Sequence, residues 1–278
     1  MEKIKTLLIP VIYNSYEKCI DLLKSITNLN NLESLRIILV DNSEKESNFE
    51  FEKFIQTLNL NIEYVKTPFN LGYFGGAQYA LGYYQELHPL PDYIIVCNVD
   101  IMFKQKDFFV NLYKESLESN VGIIAPSIIS IRWGTDSNPQ LLKKISSKKI
   151  QFLKLISSNC VFINLYQISS YVKKIVGKKD KKKLCLNQTQ IYAPHGSIII
   201  FRKIYFSRGG DLKHISFLFG EEIFLAEMAI KLNLKIIYLS SLKIFDFEHV
   251  STGILYSKKI CKYLNQSIKD IIKHYYQF

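Results

Sequence analysis

The sequence predicts an α/β protein with a mostly parallel central sheet and helices on both faces. Over the first 126 residues, short apolar runs alternate with stretches whose apolar residues recur at helical spacing. The strand-like runs are nearly continuous in Ile, Leu and Val, as expected of parallel strands buried on both faces. Polar clusters follow three of these runs: Asp41-Asn42-Ser43, Asn70 and Asn98-Val99-Asp100. Open parallel sheets bind ligands at the carboxyl ends of their strands, so the three clusters make one candidate site.

The elements follow in order. Ile4–Val11 reads as a continuous buried strand. Glu17–Asn28 reads as a helix through Ile20, Leu22, Leu23 and Ile26, and Arg36–Val40 as a second strand. Phe49–Leu58 is helical, with Phe51, Phe54, Ile55 and Leu58 on one face. Asn61–Lys66 is a strand, and the turn Gly72-Tyr73-Phe74-Gly75-Gly76 opens a helix to about His88. Tyr93–Cys97 is a buried strand, Asp107–Ser119 a helix and Val121–Pro126 a strand. The alternation then stops until Tyr192. Beyond it, Ile191–Phe201 and Phe217–Phe219 read as shorter strands around Gly209-Gly210-Asp211, and Glu221–Leu232 as a helix. Lys235–Leu239 and Ile244–Glu248 read as two strands, the second ending at His249. From Ile254 the tail is a basic amphipathic helix carrying Ile260, Leu264, Ile268, Ile271 and Ile272. With no repeat and no clean linker, the chain reads as one domain over 1–253. A Lys-rich insertion occupies about 130–190, and the helix 254–278 closes the chain.

At 278 residues, 48% hydrophobic and 22% charged, the chain has ample material for a core, which excludes low-complexity disorder. Its 36 Lys+Arg against 25 Asp+Glu give +11. Between Lys143 and Lys183 there are twelve lysines and one acid, Asp180, so this stretch alone accounts for that excess. Every cation in it is Lys, a point charge suited to diffuse attraction to phosphate or anionic lipid headgroups. Nucleic-acid sites usually mix Arg with aromatics, so no nucleic-acid partner is expected. The alternative for the stretch is a solvated loop face. The five cysteines are scattered without a CxxC pair and read as reduced thiols, not as a disulfide frame or zinc site. No apolar run approaches the roughly 18–20 residues of a membrane span. The expected location is the cytoplasm, at the inner face of the plasma membrane.

Asn98 and Asp100 share a side of their strand by period-two spacing. Asp100 offers a carboxylate to a hard divalent cation, with Asn98 beside it, or else it is a turn residue. Glu221-Glu222 opens a helix and either complements the helix dipole or supplies a general base. His249 is a core histidine or a metal ligand.

The ordered set of Val11-Ile12-Tyr13-Asn14, Val40-Asp41-Asn42-Ser43, Asn70-Leu71-Gly72-Tyr73-Phe74-Gly75-Gly76 and Asn98-Val99-Asp100 resembles the inverting family 2 glycosyltransferases. Its branch is the one with rhamnosyltransferase-like and galactofuranosyltransferase-like members. Phe219-Gly220-Glu221-Glu222 resembles that branch's aromatic–Gly–Glu–Asp segment, and His249-Val250-Ser251-Thr252 its late His-x-x-Ser element. The resemblance implies a glycosyltransferase-A (Rossmann-like) fold, a nucleotide-diphosphate sugar donor (UDP or dTDP) and a divalent metal, Mn²⁺ or Mg²⁺. It implies that Pro10, Val11 and Tyr13 line the nucleotide pocket and that Asp41 hydrogen-bonds the base. Asn70, Gly72, Gly75 and Gly76 would lie against the nucleotide, where missing side chains permit close approach. Asp100, with Asn98 beside it, and His249 would hold the metal. Glu222 would be the catalytic base, its pKa raised by burial near other acids, with Glu221 supplying like charge or bonding acceptor hydroxyls. The sequence departs from the branch at Val99 in place of Pro, Glu222 in place of Asp, and Phe224 and Met228 in place of a downstream acid and Arg.

The expected activity is sugar transfer with inversion to a glycan or lipid-linked acceptor in bacterial surface polysaccharide synthesis. Anionic membrane would be met through the Lys143–Lys183 region and the C-terminal helix. A nucleotidyltransferase would open with a Gly-rich, Lys/Arg-bearing loop, which Val11-Ile12-Tyr13-Asn14-Ser15 lacks. The remaining alternative is a catalytically degenerate or non-enzymatic module that binds polyanions or nucleic acid.

Overall fold

The computed structural model describes residues 3–47, 49–176, 187–247 and 255–276, with the backbone alone over 171–176. Nine strands form one mixed sheet among the described residues. They are β1 Thr6–Ile12, β2 Leu35–Asp41, β3 Ile62–Lys66, β4 Tyr93–Asn98, β5 Ile101–Met102, β6 Val121–Ser130, β7 Thr189–Ile191, β8 Ile198–Arg202 and β9 Lys235–Asp246. The order is β3-β2-β1-β4-β8-β6-β9-β5, with β7 on the first half of β9. β1 to β4 are mutually parallel. β8 runs antiparallel between β4 and β6, so β6 and its parallel neighbour β9 regain the common direction. The sheet is therefore mostly parallel, as the sequence predicts.

The helices are α1 Tyr16–Ile26, α2 Phe49–Thr57, α3 Tyr73–Leu87, α4 Phe108–Lys114, α5 Ser147–Ser157, α6 Cys160–Val176, α7 Lys203–Ser207, α8 Glu221–Lys231 and α9 Lys258–Tyr275. All seven residues of β1 are buried, and their alternation splits the core into two layers. Leu8 and Ile12 pack with Leu22 and Leu23 of α1, Phe51 of α2 and Phe108 of α4. Leu7, Ile9 and Val11 pack with Phe74 and Leu81 of α3 and Phe224 and Leu225 of α8. Each such side chain contributes about 1.5–3 kcal/mol on burial.

The register levels the strand ends that matter. Val11 stands opposite both Val40 and Asn98, and Ile12 opposite Asp41. Pro10 cannot donate to a ladder, and the paired register with β2 lapses between Leu8 and Val11.

Five readings need correction. β9 is one strand, not two. Its pairing with β6 jumps from Pro126↔Leu239 to Ser127↔Lys243, and the residues looped out there break the sequence pattern. The run 191–201 is not one strand: β7 and β8 are separated by residues 192–197, which turn at the head of β8. Phe217–Phe219 is not a strand, because Phe219 sits at φ 70° and Gly220 at φ 87° to turn the chain into α8. The stretch after Ser130 is not without periodic structure, since it holds α5 and α6. Finally, Cys160 and Cys261 form a disulfide, because α6 lies along α9 and brings their Cα atoms to 5.5 Å across 101 residues of sequence. Cys19 and Cys97 are free and buried as expected, and Cys185 lies outside the described residues.

Candidate active site

The site is built along the carboxyl edge of β2, β1 and β4. Asp41, the last residue of β2, is fully buried. Its Oδ2 accepts from the Tyr16 hydroxyl at 2.9 Å, the Tyr64 hydroxyl at 2.6 Å and Lys66 Nζ at 2.9 Å, while Oδ1 accepts from Ser43 N–H at 2.8 Å. Burial alone would raise its pKa. The hydrogen bonds from Ser43, Tyr64 and Lys66 outweigh that and hold the carboxyl below its usual range. Ser43 Oγ accepts from Asn14 N–H at 2.7 Å, tying this strand end to the exit of β1, where Tyr13 is exposed. Pro10 and Val11 are buried within β1.

Beside Asp41, Asn42 joins β2 to the glycine turn. Its amide donates to Gly72 O at 2.7 Å and its Oδ1 accepts from Thr67 at 2.9 Å. Asn70 Oδ1 accepts from Gly72 N–H at 2.9 Å, closing a turn that puts Gly72 at φ 76° at the head of α3. A Cβ on Gly72 would stand 2.1 Å from the Phe217 carbonyl oxygen, and one on Gly76 2.5 Å from Asn42 Nδ2. A Cβ on Gly75 would meet Leu71 Cβ at 3.0 Å. The glycines are therefore required by close packing within the chain itself.

The next residue, Tyr73, carries the site across to the acids. Its hydroxyl donates to Gly196 O at 2.8 Å. Burial first, then the negative character of Cys97, Glu221, Asp100 and Glu222, holds that hydroxyl well above its ordinary pKa. The four groups thus share its surroundings.

Asp100 follows β4 and is 7% exposed, yet its Oδ1 is buried without a hydrogen-bond partner. Burial and then the neighbouring Asp246 push its carboxyl up to about 6. Asp246 ends β9 and is buried, accepting from the Ser197 hydroxyl at 2.5 Å. Asn98 is half-buried, its N–H donating to Ser197 O at 2.9 Å.

Glu221 and Glu222 open α8 behind Gly220. Glu221 is buried, and Oε1 accepts from Phe219 N–H at 3.1 Å. Burial, then Glu222 beside it, raises the Glu221 carboxyl well above the usual range. Glu222 is only half-buried, and a Cβ on Gly196 would meet its Oε1 at 3.1 Å. This corrects the expected arrangement: α8 turns Glu221 inward, so the burial expected of Glu222 falls on Glu221. His249 lies outside the described residues.

The sequence model of glycosyl transferase family 2 matches residues 7–205, well over half of the chain, including the carboxyl ends of β1, β2 and β4. The chain belongs to glycosyl transferase family 2. Solved structures with the same fold include the mannosyltransferase PcManGT of Pyrobaculum calidifontis in complex with GDP-Man and Mn²⁺. It has TM-score 0.53 and 13% identity, over 90% of this chain and 59% of that one. S. aureus TarS 1-349 in complex with UDP-GlcNAc matches at TM-score 0.56 and 12% identity, over 90% and 60%. GalNAc-T7 with UDP, GalNAc and Mn²⁺ matches at TM-score 0.56 and 12% identity, over 98% and 50%. The chain thus spans 50–60% of the length of these three. No curated protein sequence matches it. The fold is glycosyltransferase-A, as the resemblance implies.

Within this family 2 fold the donor chemistry suits a divalent cation at Asp100. An unpartnered, buried carboxylate oxygen next to a second carboxylate is a place where positive charge is missing. Among the described residues no three His, Cys, Asp or Glu side chains converge as a complete ligand set. The sequence offers His195-Gly196-Ser197 as a segment lining the acceptor side or as a plain turn, and the structure sets it against Tyr73, Glu222 and Asp246. Asp246 itself is not marked by the sequence as part of this centre. Asp246 hid inside a strand read as running to residue 248, although an acid ending an apolar run is the same signal that marks Asp41 and Asp100. A cleft of about 540 Å³ lined by Lys5, Tyr93, Tyr113 and Arg202 lies at the amino end of β1 and β4, away from these acids.

Proposed function

We propose that this glycosyltransferase moves a sugar, with inversion, from a UDP- or dTDP-linked donor to a glycan or lipid-linked acceptor in bacterial surface polysaccharide synthesis. The observation that carries the reading is the position of Gly196-Ser197 at the head of β8. Gly196 leaves room for Glu222 where a Cβ would meet Oε1 at 3.1 Å, and the Ser197 hydroxyl is held by Asp246, which in turn raises Asp100. A candidate base and a candidate diphosphate anchor therefore stand on either side of two small residues.

In this reading Asp100 would hold a divalent ion with Asn98 beside it and His249 completing the set. A bound ion would neutralise the charge developing on the leaving diphosphate. Asp41, expected to hydrogen-bond the base, is fully buried and already accepts from Tyr16, Tyr64, Lys66 and Ser43. It would instead fix those groups beside the base, with Pro10 and Val11 along β1 and Tyr13 just beyond its end. Asn70 and the glycine turn, whose missing side chains admit Phe217, Leu71 and Asn42 rather than a ligand, hold the head of α3 beside the nucleotide. Glu222, half-exposed, takes the proton of the acceptor hydroxyl as its oxygen bonds the anomeric carbon. The bond from that carbon to the diphosphate oxygen breaks on the opposite face, and the diphosphate leaves with the electron pair. Glu221, kept protonated near neutral pH by burial, holds the Phe219–Gly220 turn that presents Glu222.

Calorimetric titration of UDP, dTDP and GDP, with and without Mn²⁺, tests this on the wild type and on Asp100→Ala. The expected result is Mn²⁺-dependent binding of UDP or dTDP that the variant loses. Absence of nucleotide binding under every metal condition would defeat the donor site and leave the degenerate alternative.

A further inference from the structure

The helix α6 is amphipathic the wrong way round for a soluble protein. Its amide side chains face inward: Asn164 Nδ2 donates to Tyr256 O at 3.1 Å, its Oδ1 accepts from Tyr256 N–H at 2.8 Å, and Gln167 donates to the Tyr256 hydroxyl at 2.6 Å. Four of its apolar side chains face out, while Ile163 packs inward. Val161, Phe162, Leu165 and Ile168 are 63%, 56%, 56% and 41% exposed. The preceding α5 continues the surface with Phe152 at 50% and Leu155 at 70% exposed. Phe152 meets Tyr166 edge-on at 6.2 Å, which joins the two helices into one apolar face. Singly exposed apolar side chains are ordinary, but a contiguous patch of this kind marks an interaction surface.

The charge around the face says what covers it. Neither α5 nor α6 contains an acidic residue, and Lys148, Lys149 and Lys154 of α5 are exposed beside the patch. A second copy brought face to face would set lysines against lysines. A bilayer with anionic headgroups offers apolar depth for the leucines and phenylalanines, and negative charge for the lysines at its surface. We propose that the α5–α6 hairpin is a membrane-seating surface that lies in the interface of an anionic bilayer. The C-terminal helix takes a different part from the one its sequence suggests. Its apolar residues Ile268, Ile271 and Ile272 are buried against Ile150 and Ile223, so α9 is the strut between hairpin and site. On one side the Cys160–Cys261 disulfide fastens it to α6. On the other, Ser267 donates to Phe219 O at 2.6 Å, and a Cβ on Gly220 would strike Ile271 at 2.5 Å. The Phe219–Gly220 turn that presents Glu222 is therefore one helix away from the lipid face. This gives the acceptor of the proposed reaction its class, a glycan carried on a membrane lipid, and that last step alone rests on the glycosyltransfer reading.

The test is flotation of the full chain with phosphatidylcholine vesicles, plain or mixed with phosphatidylglycerol, together with its oligomeric state by light scattering. The wild type is expected to float with the anionic vesicles at low salt. Leu155→Glu/Leu165→Glu changes two exposed side chains and is expected to bind at least about tenfold more weakly, with an unaltered melting temperature. Lys148→Glu/Lys149→Glu is expected to lose about fivefold or more per lysine, a loss that shrinks as salt rises. Three results would each overturn the proposal. They are a wild type that stays off anionic vesicles, vesicle binding indifferent to the leucine changes, or a stable dimer that the leucine changes dissociate. Flotation needs neither donor nor acceptor. A chain that floats but binds no nucleotide keeps the surface and loses the enzyme, and the reverse result separates them equally well.

Discussion

Asp41 and Asp100 stand at the ends of the two strands that flank β1, and the register sets those ends level. Both are buried, at 0% and 7% exposure, and burial by itself would push both upward. Their carboxyls nevertheless shift in opposite directions. Asp41 has three donors on one oxygen and a backbone N–H on the other, and falls below its usual range. Asp100 has an oxygen with no donor and an acid for a neighbour, and rises to about 6. Burial therefore does not decide what a carboxylate is for; the supply of donors does. The chain has completed the first site from its own side chains, and such an acid fixes architecture. At the second it has left a carboxylate oxygen without a donor beside another acid, which costs stability and is the feature the proposed cation would answer.

The same contrast is compressed into Glu221 and Glu222, and here the largest effect is expected. Glu221 is enclosed and raised, so a neutral amide in its place changes little charge and keeps the acceptor for Phe219 N–H. Glu222 faces the space beside Gly196. Glu222→Gln is expected to lower kcat by about 10²–10⁴-fold with nucleotide binding unchanged. Glu221→Gln should stay within about tenfold of wild type. Steady-state rates with calorimetry on both variants check this. Equal losses with donor binding intact would move the base role onto the pair, and a larger loss at Glu221 would reverse the assignment.

The sequence made the first of these sites far more legible than the second. Asp41, Asn70, Gly72 and Gly76 lie within about 36 residues of one another, in stretches where strand and helix periods are clean. Local pattern was therefore enough to place them on one sheet edge. Asp246 reaches Asp100 only because β9 skips three residues against β6 and then pairs with β5, a register no local pattern encodes. His195-Gly196-Ser197 reads equally as an acceptor-side segment or a plain turn for the same reason, since the partners of Gly196-Ser197, namely Tyr73, Glu222 and Asp246, come from elements distant in sequence. The hairpin α5–α6 escaped because its apolar residues face outward, so its pattern answers to no core of this chain. The disulfide escaped because nothing local relates residues 160 and 261.

A stability measurement in the presence of chelator sharpens the comparison of the two aspartates, because they should answer the same substitution with opposite signs. Asp41→Asn replaces an acceptor of three donors by an amide and leaves Lys66 without its ion partner. A loss of about 2–3 kcal/mol at pH 7 is expected. Since the folded pKa of Asp41 is lowered, its contribution is fully present above the ordinary carboxylate value. It fades as pH falls through the lower folded value, so the deficit of the variant should narrow in acid. Asp100 runs the other way. Its folded pKa is raised to about 6, so the metal-free folded state binds the extra proton between about 4 and 6 and carries a penalty above that window. Asp100→Asn removes both the charge and its repulsion with Asp246. It should be neutral to stabilising at pH 7, by up to about 3 kcal/mol, with the gain vanishing below about pH 4. Urea unfolding of the three proteins at pH 7 and near pH 4 decides it. If Asp100→Asn costs as much as Asp41→Asn in chelator, some group of the chain already satisfies Asp100, and its vacancy for a cation is lost as an argument.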